Sequence, residues 1–178
     1  MTPRVIVGHA ANHGLERFGL YPRTVEALER LFPVPVDYED CSRHDSAYFD
    51  LLSAAWDDKR DLIVVEHDIV VHDRVWRAFR HCPQPWCAFP YEMSTMVKPG
   101  LGCTRWRASL MHRVPDLFSR VARHGNDAEV RDGMPSRHWL RLDVRIDAEL
   151  MPRGFAPHVH WPQVEHLNPI HKLHRHLA

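Results

Sequence analysis

Three ionisable residues, Glu66, His67 and Asp68, interrupt the apolar segment DLIVVEHDIVV, which spans residues 61–71. Charged side chains are costly to bury without partners, so their position at the end of a strand-like segment needs a physical reason. If the strand continues through them, Glu66 and Asp68 point to one face and His67 to the other. Neighbouring carboxylates repel each other unless a cation or a shared proton lies between them. The triplet therefore suits a divalent cation that binds phosphate oxygens; the alternative is a solvated loop in which Asp68 only caps a turn.

Another carboxylate, Asp143, lies on the predicted inward face of a helix. The pattern predicts this helix from about Ser136 to Leu150, and at 3.6 residues per turn Trp139 and Ile146 share a face with Asp143. A carboxylate on an inward face requires a cleft, a partner or a raised pKa, and each of these fits a general base. Asp147 is the second candidate for that role. The alternative is a buried salt bridge to one of the nearby arginines, Arg137, Arg141 or Arg153.

The elements before the triplet have the order and spacing of βα units. Arg4–Val7 is a short β-branched strand, and a helix begins near Pro22, a residue suited to a first helical turn. PVPVDYED at residues 33–40 is the second strand, His44–Trp56 the second helix, and Leu62–Glu66 the third strand. Alternating strands and helices predict a parallel sheet, in which ligands bind beyond the carboxyl ends of the strands.

The second half of the chain is less regular, but it supplies further strands and helices. The predicted elements are a helix over 73–80, strands within 85–93 and 99–106, a helix over 108–124 interrupted at Pro115, and a closing strand and loop over 155–168. We expect one domain over residues 1–168, followed by a His-rich tail over 169–178.

Composition restricts the classes of function. A chain of 178 residues with 44% hydrophobic residues suits one domain. Its 23 basic and 23 acidic residues cancel, so no overall field would attract nucleic acid or an anionic membrane. No apolar run reaches the roughly 20 residues of a membrane span, and the N-terminus lacks the pattern of a secretion signal. The four cysteines show neither C-x-x-C spacing nor the density of a disulfide scaffold, so we expect a soluble protein of a reducing compartment, the cytoplasm.

Several stretches together resemble a known class of enzymes. A strand that ends in a D-x-D-like triplet after two βα units is followed by CPQPWCAFPYEMS, GLGCTRWRASLM, WLRLD and PHVHWPQVEHLN. This order resembles the GT-A class of glycosyltransferases, in particular short glycosyltransferase-like proteins of actinobacteria and their phages, over roughly residues 5–168. The resemblance implies a single α/β domain with a mixed, mainly parallel sheet flanked by helices. It also implies an inverting enzyme that moves a sugar from a nucleoside-diphosphate donor to an acceptor hydroxyl on a glycan, protein or small molecule.

The resemblance also implies a cation site for Mn²⁺ or Mg²⁺. The last acid of the triplet, Asp68, would bind the cation that bridges the donor diphosphate, and Glu66 would lie near the ribose or hold a metal-bound water. A late histidine often joins such a site, and imidazole suits Mn²⁺-like ions. We predict His160 or His158 as this ligand, and His166 after them. A zinc site built from these histidines and a cysteine is not expected, because no cysteine lies near them in the sequence.

Further site residues follow from their places in such a fold. WLRLD resembles the Trp-x-x-x-Asp stretch whose acid deprotonates the acceptor hydroxyl, a role that falls to Asp143. The loop after the first strand, with His9 and Asn12, would lie beside the nucleotide base and ribose. Asp40, after the second strand, would accept a hydrogen bond from one of them.

The donor sugar and the acceptor would meet a second group of residues. Gly100, Gly102 and Cys103 would line the donor sugar, since glycine allows close approach; a strand bulge is the alternative. Three aromatic residues are candidates for stacking on a sugar acceptor, although aromatic residues more often pack in a core: Tyr91, Trp106 and Trp161.

Two other functions remain open from the sequence. The chain is short for this fold, so a degenerate relative that binds a nucleotide or glycan without turnover is one alternative. A metal-dependent nucleotidyltransferase or phosphohydrolase also uses paired acids, and it would release pyrophosphate or phosphate instead of a nucleoside diphosphate.

Overall fold

The computed structural model describes residues 2–10, 19–93, 96–123, 137, 139 and 142–167. Four predicted features lie outside these residues: Asn12, Ser136 at the predicted start of the last helix, Arg141 and the tail over 169–178. The strands are β1 (Arg4–His9), β2 (Val36–Asp40), β3 (Leu62–Val65), β4 (Ile69–Val70), β5 (Trp86–Ala88), β6 (Tyr91–Met93), β7 (Met96–Lys98), β8 (Cys103–Trp106), β9 (His158–Val159) and β10 (Glu165–His166). The helices are α1 (Pro22–Leu31), α2 (Ala47–Asp57), α3 (Arg74–His81), α4 (Ala108–Arg113), α5 (residues 117–123) and α6 (Leu142–Leu150), followed by a 3-10 turn, Met151–Arg153.

A six-stranded sheet in the order β2-β1-β3-β8-β5-β9 forms the centre of the fold. β1 is parallel to β2 and β3, and β5 is parallel to β9. β8 is antiparallel to both of its neighbours, so the other five strands all run in one direction. The predicted α/β fold with a mixed, mainly parallel sheet is confirmed.

Apolar side chains cover both faces of this sheet. On one face, α2, α4, α5 and α6 pack a cluster that includes Trp56, Trp106 and Phe118. On the other face, α1 and α3 pack a second cluster that includes Leu28 and Phe79. Trp106 is fully buried with its ring edge-on to Trp56 at 5.6 Å, so the prediction that it stacks on a sugar is wrong. Its indole packs in the apolar core between the sheet and the helices α2 and α4.

Two predicted boundaries differ from the structure. The third strand ends at Val65, so the acidic triplet lies in the turn between β3 and β4 and strand alternation does not govern its side chains. Trp139 lies in a bend before α6 and is 38% exposed, so it does not share a buried helical face with Asp143. The buried face of α6 consists of Leu142, Ile146 and Leu150, and Asp143 lies beside it, half-buried.

Within the described parts of the chain, no helix combines the length and the apolar character that crossing a membrane requires.

Candidate functional site

The carboxyl ends of β1, β2 and β3 meet along one edge of the sheet. His9 and Asp40 are register partners at the ends of β1 and β2. Beyond the end of β3, the Glu66 amide donates to the carbonyl of Gly102 at 2.9 Å, which extends the pairing with β8 by one residue. The parallel order thus brings four of the predicted donor-binding residues to one edge, as the rule for α/β folds expects.

A tight turn buries the last residue of the acidic triplet. The Ile69 amide donates to the Glu66 carbonyl at 3.1 Å, and the Tyr21 amide donates to the His67 carbonyl at 3.2 Å. The chain then enters β4, which pairs with β10. Asp68 is only 2% exposed, so the alternative of a solvated loop does not describe this carboxylate.

The partner of Asp68 is His166, at the end of β10. Its Nε2 lies 3.0 Å from Asp68 Oδ2, and its Nδ1 lies 2.9 Å from the backbone carbonyl oxygen of Glu92. A carbonyl oxygen only accepts hydrogen bonds, so Nδ1 carries a proton. The nitrogen that faces the carboxylate is then either protonated or presents a lone pair. In the second case a cation relieves the repulsion, as in metal sites where a second hydrogen bond orients the histidine.

The other carboxylate oxygen, Asp68 Oδ1, is buried and has no hydrogen-bond partner among the described residues. Burial alone would raise the pKa of Asp68, but the hydrogen bond with His166 and the charge of His67 lower it below its usual value. An ionised carboxylate with an unsatisfied buried oxygen, next to an oriented imidazole, is a donor set that fits a divalent cation. Asp68 and His166 are the residues that could hold it.

His158 and His160, the preferred histidines in the sequence, lie elsewhere in the structure. The His160 ring stacks on Phe89 with 5.2 Å between centroids, and its ligand atom lies within 4.8 Å of the Cys82 and Cys87 sulfurs. The structure therefore groups His166, and not His160, with Asp68. Cys82 and Cys87 are distant from His160 in the sequence but near it in the structure, so sequence distance is no argument against a site built from histidine and cysteine.

Tyr91 joins the acidic turn to the helix that carries Asp143. A Cβ atom built on Gly100 would lie 2.5 Å from the Tyr91 hydroxyl oxygen and 3.5 Å from Asp143 Oδ2. A Cβ atom built on Gly102 would lie 2.6 Å from the Tyr91 ring and 3.1 Å from Glu66 Oε2. Both glycines are therefore needed for close approach, and the two carboxylates flank one tyrosine. Tyr91 is 3% exposed, so it forms a wall of the site and offers no free stacking face.

Tyr48 on α2 also lies beside the site, although the sequence analysis did not identify it as a candidate. A Cβ atom built on Gly8 would lie 2.6 Å from the Tyr48 ring, so the ring lies against the end of β1. Burial and the negative charges of Glu66 and Asp143 raise the pKa of Tyr48 well above its ordinary value, and Tyr91 responds in the same way. Both phenols therefore stay neutral among the acids. The apolar spacing of α2 gave no signal of this role.

Asp40 lies at the end of β2, where its carboxylate is exposed and accepts hydrogen bonds. Ser42 donates to its carboxylate from both the hydroxyl and the backbone amide, and these bonds lower the pKa of Asp40. The neighbouring His9 has a buried Nδ1 without a hydrogen-bond partner in the described part of the chain. The two residues can offer a nucleotide base or ribose a carboxylate and an imidazole.

The remaining predictions divide by exposure. Cys103, on β8, is fully buried among the apolar residues that pack against α1 and α3, so it cannot line a sugar. Trp161 is 63% exposed, so its ring is accessible, and its role in stacking on a sugar stays a prediction. A cavity of about 440 Å³ opens at the opposite edge of the sheet, where Thr2, Asp61 and Arg105 line it together with other residues; none of its lining residues belongs to the predicted site.

Comparison with known proteins gives one informative similarity. No family model matches the sequence, and no curated protein matches it significantly. The structure is similar to the crystal structure of a glycosyltransferase involved in the glycosylation of the major capsid of PBCV-1, with a TM-score of 0.53 and 12% identity. The similarity covers 99% of this chain and 100% of that one. At this identity it shows the fold alone: the chain has a glycosyltransferase-like fold.

Proposed function

We propose that this protein is a glycosyltransferase that moves a sugar from a nucleoside-diphosphate donor to an acceptor hydroxyl, with Mn²⁺ or Mg²⁺ as cofactor. The observation that carries the proposal is the buried pair of Asp68 and His166, in which one carboxylate oxygen has no partner among the described residues. The pair lies past the carboxyl end of a central strand, where this fold class binds ligands. The similarity to a glycosyltransferase structure supports the proposal at the level of the fold.

Asp68 Oδ1 and the Nε2 atom of His166 would hold the cation, and Nε2 would first release to solvent the proton that it otherwise donates to Asp68 Oδ2. A divalent cation held there would offset negative charge on the leaving diphosphate. The Glu92 carbonyl keeps the imidazole in one orientation through Nδ1, and burial of Asp68 keeps bulk water from competing for the carboxylate. His9 and Asp40 bind the base and ribose, while Glu66 and Gly102 lie between that end and the sugar.

Asp143 is the base in this proposal. Its carboxylate takes the proton from the acceptor hydroxyl while the hydroxyl oxygen forms a bond to the anomeric carbon. The bond from that carbon to the diphosphate oxygen breaks on the opposite side, so the nucleoside diphosphate leaves and the anomeric configuration inverts. The charge that Asp143 exerts on Tyr91 and Tyr48, together with Glu66, supports a common site for these groups.

The test is cation-dependent binding of a nucleoside diphosphate. Isothermal titration with UDP and GDP, with and without Mn²⁺, should show binding that requires the cation, and Asp68→Asn should abolish it. Asp68→Asn retains the side-chain shape, so circular dichroism should remain unchanged. Asp73→Asn is a matched control, because Asp73 is an exposed acid at the start of α3.

Product analysis separates the proposed reaction from its alternatives. Incubation with UDP- and GDP-sugars should release the nucleoside diphosphate, to water or to an added acceptor, only when Mn²⁺ is present. Release of pyrophosphate or phosphate would instead indicate a nucleotidyltransferase or phosphohydrolase. Binding without any turnover would indicate a nucleotide-binding relative, and unchanged binding in Asp68→Asn would refute the cation site.

A further inference from the structure

Four potential metal ligands gather on the face of the sheet that packs against α1 and α3. Cys87 on β5 is the register partner of His158 on β9, and paired residues of neighbouring strands project to the same face. His160, two residues later, projects to that face as well, and its ring lies 4.7 Å from that of His158. Cys82 lies at the end of α3, which packs against this face of the sheet. The ligand atoms of Cys82, Cys87 and His160 all lie within 4.8 Å of one another.

We propose that Cys82, Cys87, His158 and His160 form a binding site for a thiophilic divalent metal such as zinc, separate from the Asp68 site. Two thiolates and two imidazoles are a common tetrahedral ligand set for zinc. Zinc bonds of about 2.0–2.3 Å separate tetrahedral ligands by roughly 3.3–3.8 Å, so the ligand atoms of Cys82, Cys87 and His160 need to approach one another by only about 1 Å.

The scaffold holds these ligands in place. The Cys82 carbonyl accepts a hydrogen bond from Arg105 Nη2 at 3.1 Å, and the His160 amide donates to the Ala88 carbonyl at 2.9 Å. Cys82 is 5% exposed and Cys87 is fully buried, whereas His158 is exposed on an edge strand and provides the route of entry. The Nε2 atom of His160 is buried and has no hydrogen-bond partner in the described part of the chain, as expected of a vacant ligand atom.

Metal binding changes the protonation of the ligands, and Arg105, the register partner of Cys87 on β8, places a positive charge next to them. On binding, each thiol loses its proton to the buffer and each sulfur forms a bond to the metal, with no change in oxidation state. Arg105 can then donate to the resulting thiolate.

The experiment uses Co²⁺ as a spectroscopic probe on the full chain, reduced and freed of metal. We expect one equivalent of Co²⁺ to produce the sulfur-to-cobalt charge-transfer band and the ligand-field bands of a tetrahedral complex, and Zn²⁺ to displace it. Asp68→Asn should leave the sulfur band unchanged, because the Asp68 site offers only oxygen and nitrogen. The result therefore does not depend on the proposed glycosyl transfer.

Variants identify the ligands. Cys82→Ser should lose the sulfur band or weaken Co²⁺ binding by at least about a hundredfold, since loss of even an outer partner can cost that much. Cys103→Ser is the matched control: it removes another fully buried thiol, outside the cluster, and should retain the band. If Cys82→Ser does not fold, His160→Gln leaves both thiols in place and should weaken binding. No sulfur band in a fully reduced wild-type protein, or an equal band in folded Cys82→Ser and His160→Gln, would overturn the proposal, as would a Cys82–Cys87 disulfide that persists under reduction.

Discussion

Asp68 carries its charge where water reaches almost none of its surface, so its neighbours determine what it can bind. The imidazole of His166 contacts one carboxylate oxygen, and the Glu92 carbonyl fixes which imidazole nitrogen bears the proton. The other oxygen, Oδ1, has no hydrogen-bond partner in the described residues. A buried oxygen in that state costs roughly 1–3 kcal/mol or more unless a ligand supplies a partner. A cation would supply that partner, as the proposed function requires.

The choice of histidine gives a direct prediction at this scale. His166→Ala should weaken Mn²⁺-dependent UDP binding by at least about 10- to 100-fold, since it removes a ligand and the orientation of Asp68. His160→Ala removes an imidazole that packs on Phe89, and it should leave this affinity within about twofold. Isothermal titration of both variants measures the difference. Equal losses in the two variants would contradict the assignment of His166.

The proposed base gives a second prediction, because α6 offers a matched carboxylate. Asp143→Asn should lower kcat about 10²- to 10⁴-fold, the usual contribution of a general base, with little change in the KM for the donor. Asp147→Asn, one turn further along α6, should keep most of the activity. Initial rates of nucleoside diphosphate release give both constants. If Asp147→Asn is the inactive variant, the second candidate is the base.

The sequence indicated the acids of the site better than their partners. Asp68 is conspicuous because it follows an apolar strand, and that signal depends on neighbouring residues alone. His166 lies 98 positions away, and its contact with Asp68 arises because β10 pairs with β4. Strands of two residues carry almost no periodic signal, so sequence patterns could not distinguish His166 from the two histidines before it.

At the scale of elements, the connection between β7 and β8 shapes the site because two of its residues are glycines without side chains. Gly100 and Gly102 leave room for the Tyr91 ring, which lies beside Glu66 and Asp143. A glycine signal in a sequence predicts close approach but does not say to what. Here the neighbour is Tyr91, a residue of the preceding hairpin formed by β6 and β7.

Replacing Tyr91 by phenylalanine should restore the stability of one of two glycine-to-alanine variants and not of the other. Gly100→Ala and Gly102→Ala should each destabilise the fold by about 1–3 kcal/mol through overpacking against Tyr91. Tyr91→Phe removes the hydroxyl that a Cβ at Gly100 would strike, so it should restore the first variant. A Cβ at Gly102 strikes ring carbons, so the second variant should not recover. Urea unfolding of the single and double variants tests this, and rescue of both or of neither would contradict the packing described.

The βα units were predictable because their patterns are local. The strands at β1 and β3 are short apolar runs between breaks, and α1 begins at the predicted Pro22. The predicted end of the third strand was wrong because tertiary contacts, and not the local pattern, determine where that strand ends. β3 ends at Val65 because the following residues form a turn closed by the bond from Ile69 to Glu66. The apolar residues after the triplet belong to β4, in a different sheet.

At the scale of the whole molecule, the antiparallel strand β8 connects the regions in which the potential metal ligands lie. β8 lies between β3 and β5, so its first residues meet the acidic turn while its last residues lie at the opposite edge. Oxygen and nitrogen ligands gather at the edge beyond β3, whereas sulfur and nitrogen ligands gather on the face next to β5. The two proposed cation sites would therefore lie apart, one with ligands suited to Mn²⁺ or Mg²⁺ and the other with ligands suited to zinc.

The buried thiols also predict how the whole molecule responds to pH. Burial raises the pKa of Cys103 above its ordinary value of 9.0, and Cys103 is fully inaccessible. A thiol with a raised folded pKa contributes stability that is complete below the unfolded pKa, near pH 9, and is lost as the pH rises toward the folded value. At pH 10.5 the thiol ionises in the unfolded chain but stays neutral in the folded protein. This difference lowers the free energy of unfolding by about 2 kcal/mol.

Urea unfolding at pH 8 and pH 10.5, with a chelator present to keep the thiols free of metal, measures this loss. The wild-type protein should be less stable at the higher pH, with the phenols of Tyr48 and Tyr91 acting in the same direction, because burial raises their pKa values too. Cys103→Ala removes one thiol and leaves the other titrating groups in place, so its loss of stability between the two pH values should be smaller by about 2 kcal/mol. Equal losses in the two proteins would mean that Cys103 ionises in the folded state at little cost, which its complete burial on β8 does not allow.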